Sequence, residues 1–125
     1  MNHVNLYDLE GIEYPAGRRS RVLVGDNGAL QGEHFVQGYS IIYPGCGIPE
    51  HDHAAEETYF IYSGKGSITV DGETRPLKAG DIVLVPSGLS HRLFNDGDAD
   101  MHMMYVCAPK MVVDHWAKEL SGELK

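Results

Sequence analysis

From Arg21 to Cys107 the chain reads as short stretches in which apolar and polar residues alternate. The clearest is Glu57-Thr-Tyr-Phe-Ile-Tyr62. In an extended chain successive side chains take opposite sides, so Glu57, Tyr59 and Ile61 share one face and Thr58, Phe60 and Tyr62 the other. Comparable candidates are Arg21 to Val24, Glu33 to Tyr43, Gly66 to Val70, Glu73 to Pro76, Asp81 to Val85, His91 to Asn95 and Met101 to Cys107. Gly, Pro and Asp turns punctuate them, which is the signature of an all-β sandwich or barrel. Asp71-Gly72 predicts a two-residue hairpin turn, because a type I′ loop needs positive φ at both positions. Asp96-Gly97-Asp98 marks another turn. Helical spacing occurs once, over 110–121, where Val112, Val113, Trp116, Ala117 and Leu120 form one apolar stripe. That helix is expected on the outside of the barrel. The expected division is one domain over 1–125, with an N-terminal arm (1–20), a β-barrel (21–108) and a C-terminal helix.

Composition narrows the partners. With 42% hydrophobic and 22% charged residues in 125, the chain has the makings of one soluble domain with a real core. Its formal charge of −8 disfavours nucleic acid and anionic membranes, which are bound through positive surface. Arg18, Arg19 and Arg21 form a local basic cluster that reads as a dimer edge, or else as a reach toward an anionic substrate. No apolar run has the length of a membrane span and the N-terminus lacks signal-peptide character, so the expected compartment is the cytoplasm. There Cys46 and Cys107 are expected as reduced thiols.

Candidate chemistry sits in two clusters. His51 and His53 alternate onto one face, and Glu57 follows on the next segment. His91 comes just after a turn, where a strand can return it to the same interior. Imidazole nitrogens plus a carboxylate suit one divalent transition-metal ion, with Fe, Mn, Ni, Cu and Zn all compatible and coordination positions left open. Glu56 is the rival carboxylate, but falls on the opposite face of its strand. Tyr59 shares the Glu57 face and is the candidate for proton transfer, a nearby cation favouring its phenolate. His3, His34, His102 and His115 read as ordinary surface or core histidines, with His102 a weaker candidate near the site.

At these residues the chain closely resembles the cupin superfamily. Gly45, five residues, His51-x-His53, three residues, Glu57, six residues and Gly64 fill the family's first motif. Gly80, five residues, Pro86-x-Gly88, two residues, His91, three residues and Asn95 fill the second. Fifteen residues, Lys65 to Ala79, separate the two, as in compact single-domain cupins. The resemblance implies a double-stranded β-helix, or jelly-roll barrel, with His51, His53, Glu57 and His91 on one metal ion. It further implies a metal-dependent dioxygenase, decarboxylase, lyase or isomerase acting on a small polar or carboxylate-bearing metabolite. The alternative is a non-catalytic module that binds or senses a small molecule. A homodimer is expected, both from the resemblance, with Leu6 to Arg21 as an exchanged arm, and because Phe60 and Tyr62 on the outer face need cover.

Overall fold

The computed structural model describes residues 1–110 and 113–125. Its ten strands are β1 (Ile12–Tyr14), β2 (Arg18–Val24), β3 (Val36–Ile42), β4 (Gly47–His51), β5 (Glu56–Ser63), β6 (Lys65–Val70), β7 (Glu73–Lys78), β8 (Ile82–Val85), β9 (His91–Phe94) and β10 (Met101–Ala108). A 3₁₀ turn, Leu6–Asp8, precedes them and one helix, α1 (Asp114–Leu120), follows. Two sheets result, ordered β1-β2-β3-β10-β5-β8 and β4-β9-β6-β7. All strand pairs are antiparallel. This is the all-β jelly-roll architecture with a short C-terminal helix.

Alternation decides what lies between the sheets. In β10, Met101, Met103, Tyr105 and Cys107 are buried and the residues between them only partly so. In β5, Glu57, Tyr59 and Ile61 are buried while Glu56, Phe60 and Tyr62 are exposed. Ile42, Ile48, Ile68, Val85 and Leu93 complete the core from both sheets. Two glycines permit this packing. A Cβ on Gly38 would stand 2.2 Å from the Tyr105 hydroxyl, and one on Gly64, at φ +87°, would stand 2.7 Å from the Asp100 carbonyl. Asp71 and Gly72 have φ of 49° and 81°, as the hairpin turn requires.

Apart from shifted strand ends such as that of β3, which starts at Val36, the structure departs from the expected elements at the N-terminal strands, at β4 and at the helix. β2 begins at Arg18, three residues before the expected start, and β1 pairs with it in the same chain, Ile12 opposite Ser20. The N-terminal segment thus lies on its own sheet here. β4 was not expected at all, because Gly47 and Pro49 read as loop. Pro49 is accommodated because the β4–β9 register shifts between Ile48 and His51, where a ladder donor is dispensable. Helix α1 starts at Asp114, and Val112 of the expected stripe lies outside the described residues. The expected apolar stripe packs only in part: Val113 and Trp116 lie against the core, Ala117 and Leu120 are exposed, and His115 and Glu119 are buried beside them. The helix closes one end of the barrel with its polar residues turned inward.

Candidate metal centre

His51 and His91 face each other directly across the β4–β9 pair, their ring centroids 4.2 Å apart. His53 lies just beyond β4 in a loop tied to the second motif. The Gly88 N–H donates to the His53 carbonyl at 2.8 Å and the Ser87 hydroxyl donates to the Ala54 carbonyl. Glu57 enters from the opposite sheet on β5. One ligand atom from each of His51, His53, Glu57 and His91 lies within 4.8 Å of the others. The four expected residues thus converge, and Glu56 is exposed on the other face of β5.

Each imidazole is aimed by its outer nitrogen. Nδ1 of His51 donates to the Pro49 carbonyl at 2.7 Å, that of His53 to the Ala55 carbonyl at 2.8 Å and that of His91 to the Leu89 carbonyl at 2.9 Å. In all three the carbonyl is two residues away, so the local loop presets the ring and leaves Nε2 facing inward. Nε2 of His53 and of His91 lie 3.3 and 3.1 Å from Glu57 Oε1. His51 Nε2 is buried with no hydrogen-bond partner among the described residues. An orphaned, inward-facing imidazole nitrogen beside three other donors is the arrangement that fits a divalent cation.

Electrostatics agree with that fit. Burial, then the neighbouring His91, lowers His51 from 6.5 to about 4, which keeps its ring neutral. Burial would raise Glu57, but hydrogen bonds from His53, His91, Cys107 and Tyr59 outweigh it and hold the carboxyl well below its ordinary range. The hydrogen bond to Glu57 raises His53 against its own burial. Ligation needs neutral imidazoles and an ionised carboxylate. His51 and Glu57 are shifted toward that condition and His53 away from it.

Three further side chains shape the site. Tyr59, buried on the Glu57 face, lies within hydrogen-bonding reach of that carboxylate. Burial, followed by the Glu57 charge, pushes its phenol well above 10.0 in the absence of an ion, which keeps the hydroxyl protonated beside the carboxylate. The Cys107 thiol donates to Glu57 Oε2 at 2.9 Å and orients the carboxylate. Sequence reasoning missed this role, although the alternation of β10 puts Cys107 on the same face as Met103 and Tyr105. His115, expected to be ordinary, is buried and stacked on His51, with centroids 3.8 Å apart and planes at 21°. Burial and then the neighbouring His51 lower it from 6.5 to about 2. His102 is not at the centre; its Nδ1 bonds the Tyr39 hydroxyl at 2.8 Å.

The arginine cluster divides. Arg19 binds the Glu10 carbonyl and Glu13, and Arg21 the Leu9 carbonyl, so both brace the N-terminal segment. Arg18 instead points inward. Its guanidinium is 1% exposed, lies 4.3 Å from the Tyr14 ring centroid and makes a two-pronged bond with Glu119 of α1, at 2.7 and 2.6 Å.

The family model described as Cupin domain matches residues 38–107, more than half of the chain. A protein named polyketide synthase CurC from Streptomyces cyaneus is 36% identical over 58% of this chain and 47% of its own length. A gentisate 1,2-dioxygenase from a Ralstonia species is 39% identical over 49% of this chain and 18% of its own length. The chain thus spans half or less of these relatives. Among solved structures, one from Thermotoga maritima described as a predicted oxalate decarboxylase superposes with a TM-score of 0.67 at 27% identity, over 74% of this chain and 80% of that one.

Proposed function

The chain belongs to the cupin family, and from that premise we propose that it is a metal-dependent enzyme acting on a small polar or carboxylate-bearing metabolite. Its reaction would be a dioxygenation, decarboxylation, elimination or isomerisation. The observation that carries this reading is the unpartnered, buried His51 Nε2 within a cluster whose other three members already point at one spot. His51, His53, Glu57 and His91 would hold the ion, which when bound supplies Lewis-acid polarisation of a substrate oxygen. The relatives support the class: one is named a dioxygenase and a similar structure is described as a predicted decarboxylase.

The chain's own groups do the rest. The three backbone carbonyls fix the imidazole orientations before any ligand arrives, so binding exchanges the His53 and His91 contacts to Glu57 for bonds to the ion without turning the rings. Cys107 and Tyr59 hold Glu57 in place. Tyr59, with a raised pKa and a buried hydroxyl, keeps a proton that it can donate to substrate. Helix α1 brings His115 and Trp116 over the barrel and keeps bulk water out. A reducing, cytoplasmic setting suits Cys107, whose bond to Glu57 requires the thiol proton. A homodimer is part of the same reading, since Phe60, Tyr62, Ile82 and Leu84 are exposed together on the paired strands β5 and β8.

The test is a panel of 2-oxo acids, dicarboxylates, sugar acids and catechols. Each is assayed for conversion by Fe-, Mn-, Ni- and Zn-loaded protein, with and without oxygen, beside Tyr59→Phe. Turnover with at least one metal is expected, and a reduced kcat in Tyr59→Phe. Binding heat without conversion under every condition would replace the enzyme by a binding module.

A further inference from the structure

The interior beside the metal centre has a polar wall that metal binding does not use. Arg18, Ser20 and Ser40 are all buried, and the two serine hydroxyls bond each other at 3.0 Å. They line one cavity together with Glu57, Tyr59 and Tyr105. Arg18 is the only lysine or arginine on that cavity among its described lining residues. A buried guanidinium requires an anion, because a lone charge out of water is very costly. Here the anion is the Glu119 carboxylate, which accepts from Arg18 Nη1 and Nη2 and also from the Ala16 N–H at 3.3 Å. Three donors thus converge on a carboxylate that α1, rather than the barrel, delivers.

The remaining cavity is about 20 Å³, room for a single water. Small-molecule sites measure about 300 Å³ or more. Any substrate reaching Glu57 by this route must therefore move something, and α1 is the wall that a separate element supplies. It has seven residues, no side-chain N-cap bond, and a Leu120 that is 48% exposed, so its position depends on tertiary ties such as the Arg18–Glu119 pair.

We propose that Arg18 and the Ala16 N–H form a carboxylate subsite of the substrate pocket, and that Glu119 occupies it in the closed form until a substrate carboxylate takes its place and releases α1. This rests on the reading of the barrel interior as the binding site. The exchange is selective on physical grounds. An incoming carboxylate inherits the same hydrogen bonds and leaves Arg18 paired while Glu119 passes into water; a neutral amide would leave the guanidinium buried against no charge.

The experiment uses the full chain stripped of metal, so that no carboxylate can bind an ion, with propionate and benzoate as probes beside propionamide and benzamide. Glu119→Gln weakens the internal competitor without changing its shape and should bind at least one carboxylate about tenfold tighter than wild type. Neither amide should gain. The pair replacement Arg18→Met/Glu119→Leu should abolish the gain. In wild type, saturating carboxylate should speed amide exchange across residues 114–120, and this readout decides alone if Glu119→Gln does not fold. No gain in Glu119→Gln, an equal gain for an amide, a gain that persists in the double variant, or unchanged exchange in α1 would overturn the proposal. Because no metal is present, these outcomes are separate from failure of the metal-enzyme reading, which shows in metal content and turnover.

Discussion

Metal-stripped protein should lose stability when acidified from pH 7 to pH 5, and His51 should be a principal cause. Its ring has a value of about 4 in the folded chain against 6.5 ordinarily, set first by burial and next by His91. Between those values the unfolded chain takes up a proton that the folded chain refuses, so stability falls as pH falls through the window. The gap is worth about 3 kcal/mol in full, of which about 2 kcal/mol falls between pH 7 and pH 5. His115, lowered to about 2 by burial and then by the neighbouring His51, acts with the same sign. His53 acts against them. Its raised value, due first to the Glu57 hydrogen bond, gives stability that is present below 6.5 and lost as pH rises through the folded value.

The assay is urea unfolding in chelator at pH 7, 6 and 5, for wild type and His51→Leu. Subtracting the variant isolates His51, since a leucine of similar bulk carries no proton. Taking a urea slope of about 2 kcal/mol per M, the His51 share should move the midpoint by about 1 M. If His51→Leu loses as much stability on acidification as wild type does, the buried neutral imidazole is not the source and the electrostatic reading of the centre fails.

Other outcomes follow from particular contacts. Arg18→Met alone should destabilise by about 3–5 kcal/mol because Glu119 is left buried and unpaired, whereas Arg18→Met/Glu119→Leu should recover most of that loss in the same urea assay. Asn95→Ala should cost about 1–3 kcal/mol in thermal unfolding, since its buried amide donates to the Ile42 and Ala99 carbonyls and its oxygen accepts from the Gly97 N–H. Light scattering should give about twice the chain mass for wild type and one chain mass for Tyr62→Glu, which places a charge on the exposed aromatic face of β5; a wild-type monomer at micromolar concentration would refute the dimer.

The motif residues were legible because their positions are set locally. Each histidine is steered by a carbonyl two residues away, and Glu57 by simple alternation along β5. β4 was hidden because Gly47 and Pro49 are poor strand residues, and only the shifted pairing with β9 makes them one. The inward face of α1 was hidden for a different reason. Helical periodicity tracks apolar residues, but the end of this barrel presents a buried arginine and a histidine ring, so Glu119 and His115 are the residues that match it. The same long-range pairing removed Arg18 from a surface cluster in which Arg19 and Arg21 remained. Separations of about a hundred residues, such as Arg18 to Glu119, leave no trace in local pattern.

His51, His53, Glu57 and His91 should together hold one divalent ion. Elemental analysis of protein purified without added metal, set beside His51→Ala/His53→Ala prepared identically, tests it most directly. Wild type should carry close to one equivalent of a transition metal and the double variant almost none, with thermal stability falling in step as the bound ion is lost. Near-stoichiometric metal retained by the double variant would contradict it.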